Sequence, residues 1–309
     1  MALPPLQHWT WGEAGHRIGY RHRSGPSGAG PVIFVHGFGA SSGHWRFNLE
    51  PLSGVSDCWA IDLLGFGDSS KPRSTLSGEL PAAGAVRYGF DLWGQQLADF
   101  VEQVVAPQGG GPVQLVGNSI GGLVVLRAAQ LLAERGFPPR QVVLINCAQR
   151  QLDDKNVDKL PLLERWSRPL VKQLVRQRAL LIPLFTSVAR PLFVRQVLRT
   201  AYPSGINIDE ELVELLVRPS RSPGAVEAFR GFVNLFSDHI APQLLSELQL
   251  PVRLLWGADD PWEPVGEAQR WAEHFPCIQE LKVMPGVGHC PHDEGPELVN
   301  PVLERWLAA

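Results

Sequence analysis

Five short apolar runs, each stopped at or near a glycine or an asparagine, constrain this chain more than anything else in it. They are Val32-Ile33-Phe34-Val35 before His36-Gly37, Trp59-Ala60-Ile61 before Asp62-Leu63-Leu64-Gly65, Val113-Gln114-Leu115-Val116 before Gly117, Val142-Val143-Leu144-Ile145 before Asn146, and Val252-Arg253-Leu254-Leu255-Trp256 before Gly257. A strand with one wet face alternates apolar and polar residues. Runs this short and this continuously apolar suit a parallel sheet covered on both faces. Helical spacing lies between them. Residues 91–105 bring Leu92, Gln96, Phe100 and Val104 near one face, and residues 120–134 form a second helix directly after a strand. The alternation predicts an α/β fold with a doubly wound, mostly parallel sheet. A last strand at Leu281-Lys282-Val283 and a closing helix over 297–307 complete it.

The middle of the chain breaks this rhythm. From about Gln149 to Ala241 no strand pattern occurs, and Pro161, Pro169, Pro183, Pro191, Pro203, Pro219 and Pro223 are expected to cut the segment into short helices. The expected organisation is an α/β core over 1–148, a helical cap over 149–241 and a second core part over 242–309. At 309 residues the chain is long enough for one large domain with such an insertion.

The decisive motif is Gly117-Asn118-Ser119-Ile120-Gly121, a G-x-S-x-G between an apolar strand and a helix. That context lifts the serine above the sheet edge and aims a helix N-terminus at it, so Ser119 is the expected nucleophile. His36-Gly37-Phe38-Gly39 follows an earlier strand, and the backbone N–H groups of Phe38 and Ile120 are the expected oxyanion donors. A serine needs a base. His289 follows the last apolar strand after a Gly-rich turn and is expected to serve. His292, three residues on, is expected to be solvated or to cap a helix, and a metal pair of the two is unsupported by any third ligand cluster. Both Asp259 and Asp260 end the Val252–Trp256 run. Asp260 precedes Pro261, which biases it to an extended conformation, and it is the expected triad acid, with Asp259 facing solvent. The order Ser119, Asp260, His289 is the α/β-hydrolase order.

Other classes are poorly served. Gly37-Phe38-Gly39-Ala40-Ser41-Ser42-Gly43 misses dinucleotide-binding spacing by one residue, and no P-loop exists. Asp62 and Asp68 read as turn-bracing residues. No cofactor is expected. A net charge of −3 argues against nucleic acid as a partner. Cys58, Cys147, Cys277 and Cys290 form no C-x-x-C pair, which suits reduced thiols in a cytoplasmic compartment. Mean hydropathy is −0.04, no run of about 18 apolar residues occurs, and Met1-Ala2-Leu3-Pro4-Pro5 does not resemble a signal peptide.

These motifs, with Asp62-Leu63-Leu64-Gly65-Phe66-Gly67-Asp68-Ser69 and Trp256-Gly257-Ala258-Asp259-Asp260-Pro261-Trp262, resemble the α/β-hydrolase superfamily over nearly all the chain outside the insertion. Gly117–Gly122, Asp260-Pro261-Trp262-Glu263-Pro264 and residues 287–294 further resemble the pheophytinase and chlorophyll dephytylase group of plants and cyanobacteria. That resemblance implies hydrolysis of the phytyl ester of a chlorophyll-type pigment. Plant members carry a plastid transit segment, so its expected absence suits a bacterial, for instance cyanobacterial, source and a thylakoid-peripheral location. A serine at the nucleophile position suits an acyl-enzyme route to esters, with thioesters or activated C–C bonds as alternatives, rather than epoxide or haloalkane chemistry. A non-catalytic, hydrolase-fold binding protein is the remaining alternative, from a different class.

Charge is uneven. Residues 159–199 hold nine basic residues and one acid, a net +8 against −11 for the remainder. Two readings stay open. One is an interfacial lid whose arginines touch anionic lipid headgroups while its apolar faces line a tunnel. The other is an ordinary cap whose arginines snorkel into solvent.

Overall fold

The computed structural model describes residues 3–308. Met1, Ala2 and Ala309, and with them the first and last residues of the terminal readings above, lie outside the described residues, as does the side chain of Lys159. Eight strands form one sheet: β1 (Leu6–Trp11), β2 (His16–Arg23), β3 (Pro31–Val35), β4 (Asp57–Ile61), β5 (Gln114–Asn118), β6 (Gln141–Ile145), β7 (Val252–Gly257) and β8 (Ile278–Met284), in the order β1-β2-β4-β3-β5-β6-β7-β8. β1 pairs antiparallel with β2, and β2 with β4. All pairings from β4 through β8 are parallel. The doubly wound α/β fold expected from the apolar runs is therefore the fold observed.

Every residue of β3, β5 and β6 is buried, and alternate side chains enter different cores. Ile33, Val35, Leu115, Val142, Leu144 and Leu254 join one. Val32, Phe34, Val116, Val143, Ile145 and Leu255 join the other. Helices cover both faces. α1 (Leu49–Leu52) and α2 (Phe90–Phe100) precede β5, and α2 continues as a wider turn over Val101–Val105. α3 (Ile120–Glu134) joins β5 to β6 with the bounds the sequence suggests.

Between β6 and β7 the described residues contain no strand. They form α4 (Leu162–Arg176), α5 (Arg178–Val188), α6 (Pro191–Ala201), α7 (Glu210–Ser220), α8 (Ala225–Val233) and α9 (Ala241–Glu247). α10 (Val265–His274) follows β7, and α11 (Pro291–Glu294) and α12 (Pro296–Ala308) follow β8. The prolines act differently from expectation. Pro161 and Pro191 do mark helix starts, but Pro169, Pro183 and Pro219 lie inside α4, α5 and α7. Each removes one backbone hydrogen bond. The residues four back from Pro169 and Pro183, Arg165 and Ala179, are exposed, so water can take up the freed carbonyl.

The basic segment is also less free than expected. Arg165 pairs with Asp158 at 3.2 Å, Arg168 and Lys172 with Asp154 at 3.0 and 2.6 Å, Arg178 with Glu227 at 2.9 Å, and Arg195 with Glu210. Arg176 donates to the Ser77 carbonyl at 2.7 Å. Most of these cations are spent on the protein itself.

Candidate active site

Parallel pairing of β3, β5, β6, β7 and β8 brings their C-terminal ends to one edge, where ligands of open α/β sheets bind. The registers Val35↔Gly117, Asn118↔Ile145, Ile145↔Leu255 and Gly257↔Met284 line up the loops that follow. Those loops carry Phe38, Ser119, Asn146, Asp260 and His289.

Ser119 occupies a turn with φ 55° and ψ −123°, a conformation that non-glycine residues rarely adopt. Its amide donates to the Ile145 carbonyl at 3.0 Å, and its own carbonyl accepts from Gly122 and Ala148 at 3.0 and 3.1 Å. The backbone is thus over-determined from three sides, which is what holds a strained residue in place. Gly37 lets the neighbouring loop come close: a Cβ there would sit 3.1 Å from Ser119 Cβ. The amides of Phe38 and Ile120 have no protein acceptor among the described residues. For Ile120 this follows from its place as the first residue of α3.

His289 Nδ1 donates to Asp260 Oδ2 at 2.8 Å, with both side chains buried. Asp259 is exposed, as expected. Asp260 Oδ2 also accepts from Asn146 Nδ2 at 2.6 Å, and Oδ1 accepts from the amides of Trp262 and Glu263 at 2.9 and 3.1 Å. Burial works against the charge on Asp260. The hydrogen bonds and the imidazole outweigh it and hold the carboxyl below its ordinary range. His289 Nε2 has no hydrogen-bond partner among the described residues, Ser119 Oγ included, so the serine–histidine contact is open in this conformation.

Several residues that fix this geometry had little signal in the sequence. Asn146, at φ 43°, clamps Asp260 with its amide and accepts the Gly257 amide at 2.9 Å with its carbonyl. Its place at the end of an apolar run, and the tolerance of asparagine for positive φ, were the available clues. The backbone of His289 is held by Ala201 and Asn118, at 2.9 and 3.1 Å, and Glu294 accepts the Gly288 amide at 2.6 Å. Glu294 also accepts from the Ser204 hydroxyl and amide at 2.5 and 2.9 Å, so the histidine turn and the chain leaving α6 share one carboxylate.

His292 corrects the expectation of a solvated or capping residue. It is fully buried, 4.2 Å from the Trp45 ring and 4.8 Å from the His44 ring, with no hydrogen bond at either nitrogen. Burial keeps it well below the ordinary histidine range, hence neutral. The cause lies next door. Asp293 pairs with buried Arg46 at 2.8 Å, and Arg46 also grips Asp209 at 2.8 Å, which draws the turn inward. Tyr202 donates to Asp293 at 3.0 Å and accepts from His44 at 2.8 Å. Burial, with Arg46 adding to it, pushes His44 down to about 3. Asp62 behaves as expected of a brace, accepting the amides of Ser42 and Asp68 at 2.6 and 2.7 Å. Cys147 and Cys290 are buried, and burial raises both thiols well above their ordinary range.

An apolar cavity of about 250 Å³ adjoins the Phe38 loop. Phe38, Phe66, Phe185, Phe193, Val197 and Phe229 are on its wall; Ser119 and His289 are not. Phe38 joins the two: it lies on the loop that Gly37 brings close to Ser119, and its ring stacks on Phe232 at 3.9 Å.

Sheet order, strand-to-helix serine and histidine–carboxylate pair together describe a hydrolase of the α/β type. The chain belongs to the alpha/beta hydrolase family, whose model matches residues 32–302. Among curated relatives, the chloroplastic pheophytinase of Arabidopsis thaliana is 28% identical over 302 residues, covering 89% of this chain. This chain spans only 60% of that protein's length. A dihydrolipoyllysine-residue acetyltransferase component of the acetoin cleaving system of Cupriavidus necator is 26% identical, covering 95% of this chain and 67% of that one. Among solved structures, a thermophilic esterase from Thermogutta terrifontis superposes with a TM-score of 0.68 at 22% identity, covering 98% of each chain.

Proposed function

We propose that this hydrolase is a serine enzyme that cleaves a carboxylic ester of a lipophilic substrate, with Ser119 as nucleophile, His289 as base and Asp260 as the acid that orients it. The observation that carries the reading is the 2.8 Å bond between His289 Nδ1 and Asp260 Oδ2, made at the sheet edge that also bears the strained Ser119. With the Nδ1 proton committed to the carboxylate, Nε2 is the basic nitrogen. Ser119 Oγ attacks the ester carbonyl as Nε2 takes its proton. The amides of Phe38 and Ile120 stabilise the resulting oxyanion, aided by the N-terminus of α3. Collapse breaks the bond to the alkoxy oxygen, and the imidazolium gives that leaving group its proton. A water molecule, deprotonated by the same nitrogen, then releases the acid.

Two observations support a lipophilic ester, and a phytyl pigment ester among them. The cavity beside Phe38 is walled by aromatic and aliphatic side chains, with Lys71 its one charged lining residue. The relative at 28% identity is a pheophytinase. The test is incubation of the protein with detergent-dispersed pheophytin a and chlorophyll a, followed by chromatography, with Ser119→Ala alongside. Phytol-free pigment is expected from the unaltered protein, with a fall of about 10⁴-fold or more in the variant. Cleavage of a nitrophenyl ester without pigment turnover would remove the pigment assignment. A fluorophosphonate probe that labels Ser119→Ala as well as the unaltered protein would overturn the nucleophile.

A further inference from the structure

Helix α4 is amphipathic the wrong way round. Leu163, Trp166, Leu170 and Leu174 recur at spacings of three and four residues and so share one face, and that face is turned to solvent: Leu163 is 81% and Trp166 85% exposed. The opposite face carries Arg168 and Lys172, which turn inward to Asp154. A helix packed on a protein in water presents the reverse arrangement. The inversion continues along the cap. Leu180, Ile182 and Leu184 of α5 and Leu192 of α6 are exposed, while Arg178 and Arg195 are tied to Glu227 of α8 and Glu210 of α7.

Two features say what covers this surface. Its α6 part borders the apolar cavity, because Phe193 and Val197 both line the cavity and stand exposed. It is also positively charged where charge remains free. Arg190 and Arg199 are exposed without a partner among the described residues, and Glu164 is the one acid in residues 162–201. A second copy of the chain would set these like charges against each other. An anionic headgroup layer over a hydrocarbon interior complements both the charge and the apolar area.

We propose that α4, α5 and α6 dock this protein on a lipid surface, with the leucine and tryptophan side chains among the acyl chains and Arg190 and Arg199 at headgroup level. A ligand dissolved in the lipid then reaches the cavity past Phe193 and Val197 without crossing water. The helices lie on the surface rather than span it. α5 and α6 meet at a 75° bend, no single helix among the described residues is long and apolar enough to cross a membrane, and each helix keeps a buried leucine, Leu181 and Leu198. Because most of the cap cations are internally paired, apolar insertion dominates and anionic lipid adds to it.

Docking is separable from the chemistry at Ser119, so Ser119→Ala protein serves as the probe alongside the unaltered chain. Both are sedimented with sucrose-loaded vesicles of phosphatidylcholine, alone or with phosphatidylglycerol, at low and high salt. Binding to phosphatidylcholine is expected to persist at high salt, with an increment from phosphatidylglycerol that high salt or R190E/R199E removes. L163E/W166E should lower binding to both vesicles by about tenfold or more, while keeping the thermal midpoint and the turnover of a dissolved short-chain ester. Absence of wild-type binding to phosphatidylcholine would overturn the proposal, as would L163E/W166E binding like the wild type. So would a dimer in light scattering that L163E/W166E returns to monomer, since the face would then serve a second copy.

Discussion

In the proposed mechanism His289 takes a proton from Ser119 only while its own Nδ1 proton is directed elsewhere, and the bond to Asp260 Oδ2 directs it. An amide in place of that carboxylate can present its NH₂ to Nδ1 and favour the wrong tautomer. Under the proposed mechanism Asp260→Asn should therefore lower kcat by about 10³- to 10⁴-fold. Asp259→Asn, on an exposed side chain, should leave it within about twofold. Steady-state kinetics on a soluble ester distinguishes the two, and the reverse pattern would move the acid by one residue. Glu263 carries a second consequence. Burial, with the Asp260 charge adding to it, pushes its carboxyl up to about 8, while the Gln149 amide works the other way. The folded protein thus holds a proton there that the unfolded chain releases near pH 4.5. Between those values the folded state binds more protons, so stability falls as pH rises. Glu263→Gln should flatten the profile and gain roughly 3–4 kcal/mol at pH 8 relative to pH 5, read from urea unfolding at the two pH values. An unchanged pH slope would count against a buried, protonated Glu263.

At the scale of elements, the site is a property of five strand ends more than of any one loop. Continuous apolar runs identified β3 to β7 because those strands are buried on both faces and leave no room for polar residues. β1 and β2 escaped the same reading for the opposite reason. They form an antiparallel ribbon at the edge, with histidine and arginine along β2, and only Trp11, Ile18 and Gly19 of it are buried. α3 was legible because it begins where β5 ends and must pack against the sheet. That packing is close: a Cβ at Gly122 would lie 2.6 Å from Cys147 Sγ, with both residues buried. Gly122→Ala should destabilise the protein by about 1–3 kcal/mol in thermal unfolding, and Cys147→Ala in the same chain should recover part of it. No loss on Gly122→Ala would mean that α3 is free to shift away from β6.

At the scale of the whole molecule, one buried arginine joins parts far apart in the chain. Arg46, from the turn before α1, reaches Asp293 beside the histidine turn and Asp209 at the start of α7. His44, Tyr202 and His292 pack around it, so the chain leaving α6 is keyed into the layer beneath His289. Charge composition alone could not separate a basic lid that meets headgroups from a solvated cap. Once the acids Asp154, Asp158, Glu210 and Glu227 are placed, most of the basic residues prove to be internal partners and the leucines are left outside.

By itself the sequence determined the α/β sheet, the turn that carries Ser119, and the positions of His289 and Asp260 near strand ends. Those features rest on short-range rules, since burial on two faces, a tight turn and a residue before proline all write themselves into neighbouring residues. Tertiary structure alone decided that Asn146 braces Asp260, that His292 is buried, and that α4 turns its leucines outward. Each of these depends on a partner tens to hundreds of residues away, as with Asn146 and Asp260 or Arg46 and Asp293. Hydrogen bonds and ion pairs of that span are settled by how the chain packs, and local spacing carries no trace of them.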